Sequence, residues 1–206
     1  MTNDQHEMIS TPQPRSGLIL RLTRHAARIF LSPIFRIKAR GQQNLPDQSG
    51  FILLPKHRRW EDIPLLSLAT PRPLYYVAKY ELFLNPISRW FVSSLGGISL
   101  NRSRPLESRQ SLKTMLDLLE KGEGIVIFPE GTYYRSRMGP GHVGLIRMIQ
   151  SRSGVPFIPV GINYSAKRAR TLVEINFGRP SYEGSLNGVA SFLDQMMKEI
   201  ARLSGF

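Results

Sequence analysis

Three stretches of this chain are apolar for most of their length: Phe51-Ile52-Leu53-Leu54, Gly124-Ile125-Val126-Ile127-Phe128 and Phe157-Ile158-Pro159-Val160-Gly161-Ile162. A strand with one face in water alternates apolar and polar residues. One that is covered on both faces reads as an unbroken apolar run, and such strands belong to sheets layered by helices. The intervening pattern supplies those helices. Strands are expected over 51–55, 74–78, 98–100, 124–128, 157–162 and 171–177, and helices over 62–69, 86–95, 107–121, 142–151 and 186–203. Leu112, Met115, Leu116 and Leu119 share one helical face that Gly122 terminates, and Leu186, Val189, Leu193, Met196, Met197 and Ile200 share another; both read as core. Strands alternating with helices predict an α/β fold: a single domain with a mixed, mostly parallel sheet layered by helices, preceded by an amphipathic N-terminal helical segment.

Several function classes drop out on composition. The 206 residues include no cysteine, which excludes disulfides, thiolate metal sites and cysteine nucleophiles. His6, His25 and His142 are scattered without metal-ligand spacing, so no metal is expected. No G-x-S-x-G elbow is present, against an α/β-hydrolase serine. Gly139-Pro140-Gly141-His142-Val143-Gly144 fits G-x-G-x-x-G literally. A dinucleotide site would need a strand before it and an acidic residue about 20 positions later, whereas a basic loop precedes it and the next acid is Glu174. The formal net charge of +13 points to an anionic partner, either a membrane surface, an acidic substrate carrier or nucleic acid.

Residues 1–15 are polar and read as a disordered tail. Residues 16–40 read as a basic, amphipathic helical segment with Arg21, Arg24 and Arg28 on one face and Leu18, Leu22 and Ile29 elsewhere around the axis. Such a helix either lies in a membrane interface or packs on the domain with its charges in water. No apolar stretch is long enough to span a bilayer, and Arg21 and Arg24 interrupt the one candidate secretory signal. The remaining 41–206 form the main domain.

The chemistry concentrates in two segments. Pro55-Lys56-His57-Arg58-Arg59-Trp60-Glu61-Asp62 follows the first apolar run. Histidine titrates nearest neutrality and can take a proton from a hydroxyl; a carboxylate on its other ring nitrogen fixes the tautomer and stabilises the imidazolium. Five positions on one helix would put the two residues about 140° apart, so the pair requires a strand-to-helix turn with Asp62 near the helix start. From spacing alone, a capping aspartate beside a loop histidine is the favoured description. The second segment, Phe128-Pro129-Glu130-Gly131-Thr132, places a carboxylate and a glycine at the carboxyl end of a buried strand, where open α/β sheets bind ligands.

Between these lies Gly96-Gly97-Ile98-Ser99-Leu100-Asn101-Arg102, and after them Val155-Pro156-Phe157-Ile158-Pro159-Val160. Taken in order, the four blocks resemble those of the glycerolipid acyltransferases, the 1-acylglycerol-3-phosphate acyltransferase family with its H-x4-D motif, over about residues 40 to 180. The resemblance implies transfer of a fatty acyl group from acyl-CoA or acyl-acyl-carrier-protein to a lysophospholipid hydroxyl, that of 1-acylglycerol 3-phosphate, giving phosphatidate without a covalent acyl-enzyme or cofactor. It implies His57 as general base, Asp62 as its orienter, Arg102 as the grip on the acceptor phosphate, Glu130 as the residue positioning Arg102 or the acceptor, and Gly131 and Thr132 as substrate-binding. It further implies a peripheral enzyme on the cytoplasmic face of an anionic membrane, with no nucleic-acid partner. A non-catalytic basic protein binding lipid or nucleic acid would explain the charge but not the four blocks. The chain departs from the family pattern at Lys56 (commonly asparagine), at Tyr133-Tyr134 (commonly an arginine at once) and at His142 (often lysine). These departures bear on the acceptor, which another lysophospholipid or lipid-linked hydroxyl could replace.

Overall fold

The computed structural model describes residues 15–101, 108–150, 153–167, 169–182 and 188–206. Arg102 and residues 1–14 of the expected tail lie outside them. Seven strands and six α-helices are present among the described residues: α1 Gly17–Leu31, β1 Phe35–Arg40, β2 Phe51–Pro55, α2 Asp62–Ala69, β3 Leu74–Lys79, α3 Pro86–Ser94, β4 Gly97–Leu100, α4 Ser108–Glu120, β5 Gly124–Val126, α5 Val143–Gln150, β6 Phe157–Ala166, β7 Thr171–Phe177 and α6 Gly188–Ser204. The strands form one sheet in the order β1-β7-β6-β2-β5-β3-β4. Only β6 and β7 pair antiparallel; every other neighbouring pair is parallel.

The continuous apolar runs occupy the middle of this sheet. Every residue of β2 is buried, with Phe51 and Leu53 in the cluster on one face and Ile52 and Leu54 in that on the other. The first cluster takes in Leu65 and Leu66 of α2; the second takes in Leu112, Met115 and Leu119 of α4, Ile146 of α5, and Leu193, Met196 and Ile200 of α6. Pro159 sits inside β6 without breaking it. It pairs with Leu54 on the β2 side, whereas pairing with β7 begins one residue later, at Val160 opposite Phe177.

Three expectations change. The strand expected over 124–128 stops at Val126, and Ile127 and Phe128 lead into the Pro129 turn. The strand expected over 157–162 continues to Ala166, held by its antiparallel partner β7. The helical reading of residues 16–40 holds only for α1, because Phe35–Arg40 is an edge strand in parallel register with β7. Its Phe-Arg-Ile-Lys-Ala-Arg sequence alternates with the period of a strand. Phe35 is buried, Ile37 and Ala39 pack on the same cluster, and the three cations point away.

α1 itself has three faces. Ser16 caps it, its side chain accepting from the Ile19 N–H. Leu20, Thr23, Ala27 and Leu31 turn toward the protein. Arg21, Arg24, His25 and Arg28 border a cleft with Arg15, Pro71 and Pro73, and Arg24 donates to the Thr70 carbonyl. Leu18, Leu22, Ile29 and Phe30 form the outward stripe, Phe30 being 74% exposed. The large apolar side chains, and not the charges alone, face solvent.

Candidate active site

β2, β5 and β6 are parallel neighbours, so their carboxyl ends open at the same edge of the sheet. His57 lies two residues beyond β2, and Glu130 four beyond β5. Between Pro55 and Asp62 the chain makes the strand-to-helix turn that the spacing requires, and α2 begins at Asp62 itself. Asp62 is thus the first helical residue and not the cap; Glu61 takes the cap position without a side-chain bond.

Asp62 is fully buried and gathers the turn around itself. Its Oδ2 accepts from the backbone N–H of Arg58 at 2.6 Å and of Arg59 at 2.8 Å, and lies 3.1 Å from His57 Nδ1. Oδ1 accepts the hydroxyl of Tyr164, far along the chain on β6. With Nδ1 facing a carboxylate, the imidazole is held in the tautomer that leaves Nε2 as the proton acceptor. Among the described residues Nε2 has no partner. The ring stacks on Phe128 at 3.8 Å between centroids and is flanked by Tyr133 at 4.3 Å. The residue is largely buried, 8% exposed. Burial, then the nearby charges of Asp62 and Glu61, raise the Tyr133 hydroxyl above its ordinary pKa, so it stands beside the imidazole as a neutral phenol.

Glu130 is expected to position Arg102 or the acceptor; Arg102 lies outside the described residues, and the described contacts of Glu130 are all internal. It is buried, and its carboxylate is occupied from inside the protein. Lys56 Nζ approaches Oε1 at 2.7 Å and Oε2 at 2.8 Å, the His57 N–H donates to Oε2 at 3.0 Å, and the Gly139 N–H donates to Oε1 at 2.6 Å. Glu130 therefore fixes the backbone of His57 and the loop that follows Pro129. Lys56 is also fully buried and donates to the Tyr134 carbonyl at 2.7 Å. Burial pulls its ammonium below the usual lysine range while Glu130 holds it up. Gly131 takes a left-handed φ of 67°, which suits glycine, but its N–H is committed to the Phe128 carbonyl at 3.1 Å. It is not the free donor an oxyanion would need. Thr132 is exposed at the site's rim. Lys56 and Tyr164 were not picked out as site residues from the sequence; Lys56 carried a signal as a departure from the family asparagine, and Tyr164 carried none.

Behind Phe128 and Pro129 lies an apolar cavity of about 390 Å³ that Leu100, Leu112, Ile127, Leu145 and Met148 help line. His142 borders this cavity, and its backbone N–H bonds the Pro129 carbonyl.

A family model described as Acyltransferase matches residues 36–163. The 1-acyl-sn-glycerol-3-phosphate acyltransferase of Bacillus subtilis is 35% identical over 109 residues, covering 52% of this chain and 54% of that protein. The chloroplastic 1-acyl-sn-glycerol-3-phosphate acyltransferase BAT2 of Brassica napus is 30% identical over 144 residues, or 68% of this chain and 41% of that protein. A lyso-ornithine lipid O-acyltransferase of Pseudomonas aeruginosa is 29% identical over 145 residues, 70% of this chain and 54% of that protein. The chain thus spans about half the length of these curated relatives. The crystal structure of the 1-acyl-sn-glycerophosphate acyltransferase PlsC from Thermotoga maritima superposes with a TM-score of 0.65 over 92% of this chain and 79% of that one, at 22% identity. At that identity the likeness speaks for the fold.

Proposed function

The chain belongs to the acyltransferase family, and from that premise we propose that it transfers a fatty acyl group from acyl-CoA or acyl-acyl-carrier-protein to the free hydroxyl of 1-acylglycerol 3-phosphate, forming phosphatidate. The observation that carries this reading is the His57 imidazole, bonded through Nδ1 to a buried Asp62 with Nε2 left to accept a proton. Nε2 takes the acceptor hydroxyl proton as the oxygen attacks the thioester carbonyl. The C–O bond forms, the C–S bond breaks, and the imidazolium returns the proton to the departing thiolate. No covalent enzyme intermediate and no cofactor is needed. Arg102 remains the proposed grip on the acceptor phosphate on motif grounds, since a guanidinium fork suits a phosphate.

The cavity behind Phe128 is a fitting place for the donor's hydrocarbon chain, being apolar and of ligand-binding size. Gly144 lines it, and nothing lies within 4 Å of a Cβ added there. Gly144→Leu should therefore leave folding intact while lowering kcat/KM for a long-chain donor by about tenfold or more relative to a short one. Competition assays with donors of two chain lengths read this directly; an unchanged ratio would move the chain elsewhere.

We also propose that the protein works on the cytoplasmic face of an anionic membrane, bound peripherally. No helix among the described residues is long and apolar enough to cross one. The support is the outward apolar stripe of α1 beside its row of cations, together with exposed Trp60, Ile87, Trp90 and Phe91. α1, the start of α2 and α3 enclose an apolar groove that Trp60, Ile63 and Phe91 border, so this face adjoins the turn carrying His57. Each cation near the surface contributes about 1 kcal/mol, screened within a Debye length of about 8–10 Å. Sedimentation with anionic vesicles should weaken as salt rises, and Leu22→Asp/Phe30→Asp should lower binding at least about tenfold. Undiminished binding by that variant would place the membrane contact on another face.

A second reading is acylation of a different lipid-linked hydroxyl. It is favoured by Tyr133, a neutral phenol beside His57 where the family pattern has arginine, and by the similarity to a lyso-ornithine lipid acyltransferase. An assay with labelled acyl-CoA against 1-acylglycerol 3-phosphate, other lysophospholipids and lyso-ornithine lipid distinguishes the two readings by which acceptor is labelled.

A further inference from the structure

We propose that Tyr164 is a positioning residue for the His57–Asp62 pair, its hydroxyl locking the Asp62 carboxylate in the orientation that presents Oδ2 to the imidazole. This rests on the reading of His57 as general base.

The geometry begins in the sheet. β6 runs parallel to β2 and pairs with it as far as Val160, opposite Pro55. It then continues past the end of β2 with β7 as its partner, Tyr164 standing opposite Val173. Those extra residues carry Tyr164 over the turn that holds His57. The phenol is fixed there from two sides, edge-on to Phe35 at 6.3 Å and under the Arg59 guanidinium at 4.7 Å. Its hydroxyl lies 2.5 Å from Asp62 Oδ1.

The two oxygens of Asp62 consequently have separate tasks. Oδ2 serves the imidazole and the two backbone N–H groups of Arg58 and Arg59, and Oδ1 serves Tyr164. An aspartate's terminal torsion is broad and soft, so backbone donors on one oxygen leave the plane of the carboxylate free to swing. A second donor on the opposite oxygen removes that freedom. Burial, followed by the Asp62 charge, pushes the Tyr164 pKa far above its ordinary value, so the phenol keeps its proton and only donates. In a fully buried carboxylate, loss of that donor leaves Oδ1 without a partner among the described residues.

Other groups around the pair are untouched by Tyr164→Phe. His57 is faced by Asp62 from α2 and by Phe128 and Tyr133 from the segment after β5. Glu61 and Arg59 flank the carboxylate, Arg58 turns away to Asn163 and the Arg135 carbonyl, and the Lys56–Glu130 ion pair lies behind the backbone. The phenylalanine retains the ring contacts with Phe35 and Arg59 and deletes the hydroxyl alone.

The test measures kcat, acceptor KM, thermal midpoint and the NMR titration of His57 in the wild type and Tyr164→Phe, with His57→Ala assigning the resonance. Tyr164→Phe is expected to lose about tenfold to a hundredfold in kcat with acceptor KM within about twofold of wild type. The His57 titration should move to lower pH, because a carboxylate free to swing holds the imidazolium less well than one fixed with Oδ2 against Nδ1. Wild-type kcat with an unmoved titration would overturn the proposal. So would a lower kcat accompanied by a lower thermal midpoint and an unmoved titration, since that is what a purely structural tyrosine gives. Failure of the underlying reading appears separately, as near-wild-type turnover by His57→Ala; it would remove the catalytic role, whatever Tyr164→Phe showed.

Discussion

His57→Ala is expected to lower kcat by about 10²–10⁴-fold, the range a positioned general base supplies, with the thermal midpoint close to wild type. Among the described residues the imidazole makes one side-chain hydrogen bond, to Asp62, and its removal leaves Asp62 still held by Arg58, Arg59 and Tyr164. Asp62→Asn should also lose activity heavily, but by a different route. An amide cannot match four donors, so the variant weakens the turn as well as the tautomer. The two are separable: His57→Ala should be inactive and stable, Asp62→Asn inactive and less stable. Steady-state kinetics beside thermal melts check this, and near-normal turnover in folded His57→Ala protein would sink the general-base assignment.

Lys56→Met is expected to destabilise the protein by about 3–5 kcal/mol, because it leaves the buried Glu130 carboxylate without its counter-charge. For a chain of this size that corresponds to a drop of about 6–20 °C in thermal midpoint. The His57 N–H and the Gly139 N–H still reach Glu130, but two neutral donors do not replace an ammonium held against both oxygens. Lys56→Met/Glu130→Gln should recover most of the loss, since a buried ion pair replaced as a unit by neutral groups of similar volume often costs little. Its glutamine can still accept from one of the backbone donors. A Lys56→Met midpoint within a degree or two of wild type would show that the pair does not hold the site together.

What could be read from sequence follows the reach of each interaction. The central strands were legible because burial on both faces makes Phe51–Pro55 apolar throughout and leaves no other reading. The edge strand β1 was not, because half of Phe35–Arg40 is cationic and the charges drew the segment into the preceding amphipathic helix. Its alternation has the period of a strand, but six residues are too few to outweigh the charges, and the pairing with β7, more than a hundred residues later, decides it. The His57–Asp62 turn is local, five residues long, and its spacing was enough to require the strand-to-helix geometry. Glu130 was visible as a site residue but its partner was not. Nothing in Phe-Pro-Glu-Gly-Thr announces a lysine 74 positions earlier, and the contact exists because β2 and β5 are neighbours in the sheet. Tyr164 is the extreme case, since it reaches Asp62 only through the overhang of β6 beyond β2. Local motifs name the residues that react; the sheet order names those that hold them.

Purified protein incubated with radiolabelled palmitoyl-CoA and 1-acylglycerol 3-phosphate in anionic vesicles offers the most direct test of acyl transfer from thioester to lipid hydroxyl. The expected result is labelled phosphatidate and one free thiol released per acyl group transferred, both lowered by about a hundredfold or more with His57→Ala. Thiol release without labelled lipid, or equal labelling by the alanine variant, would contradict acyl transfer through His57.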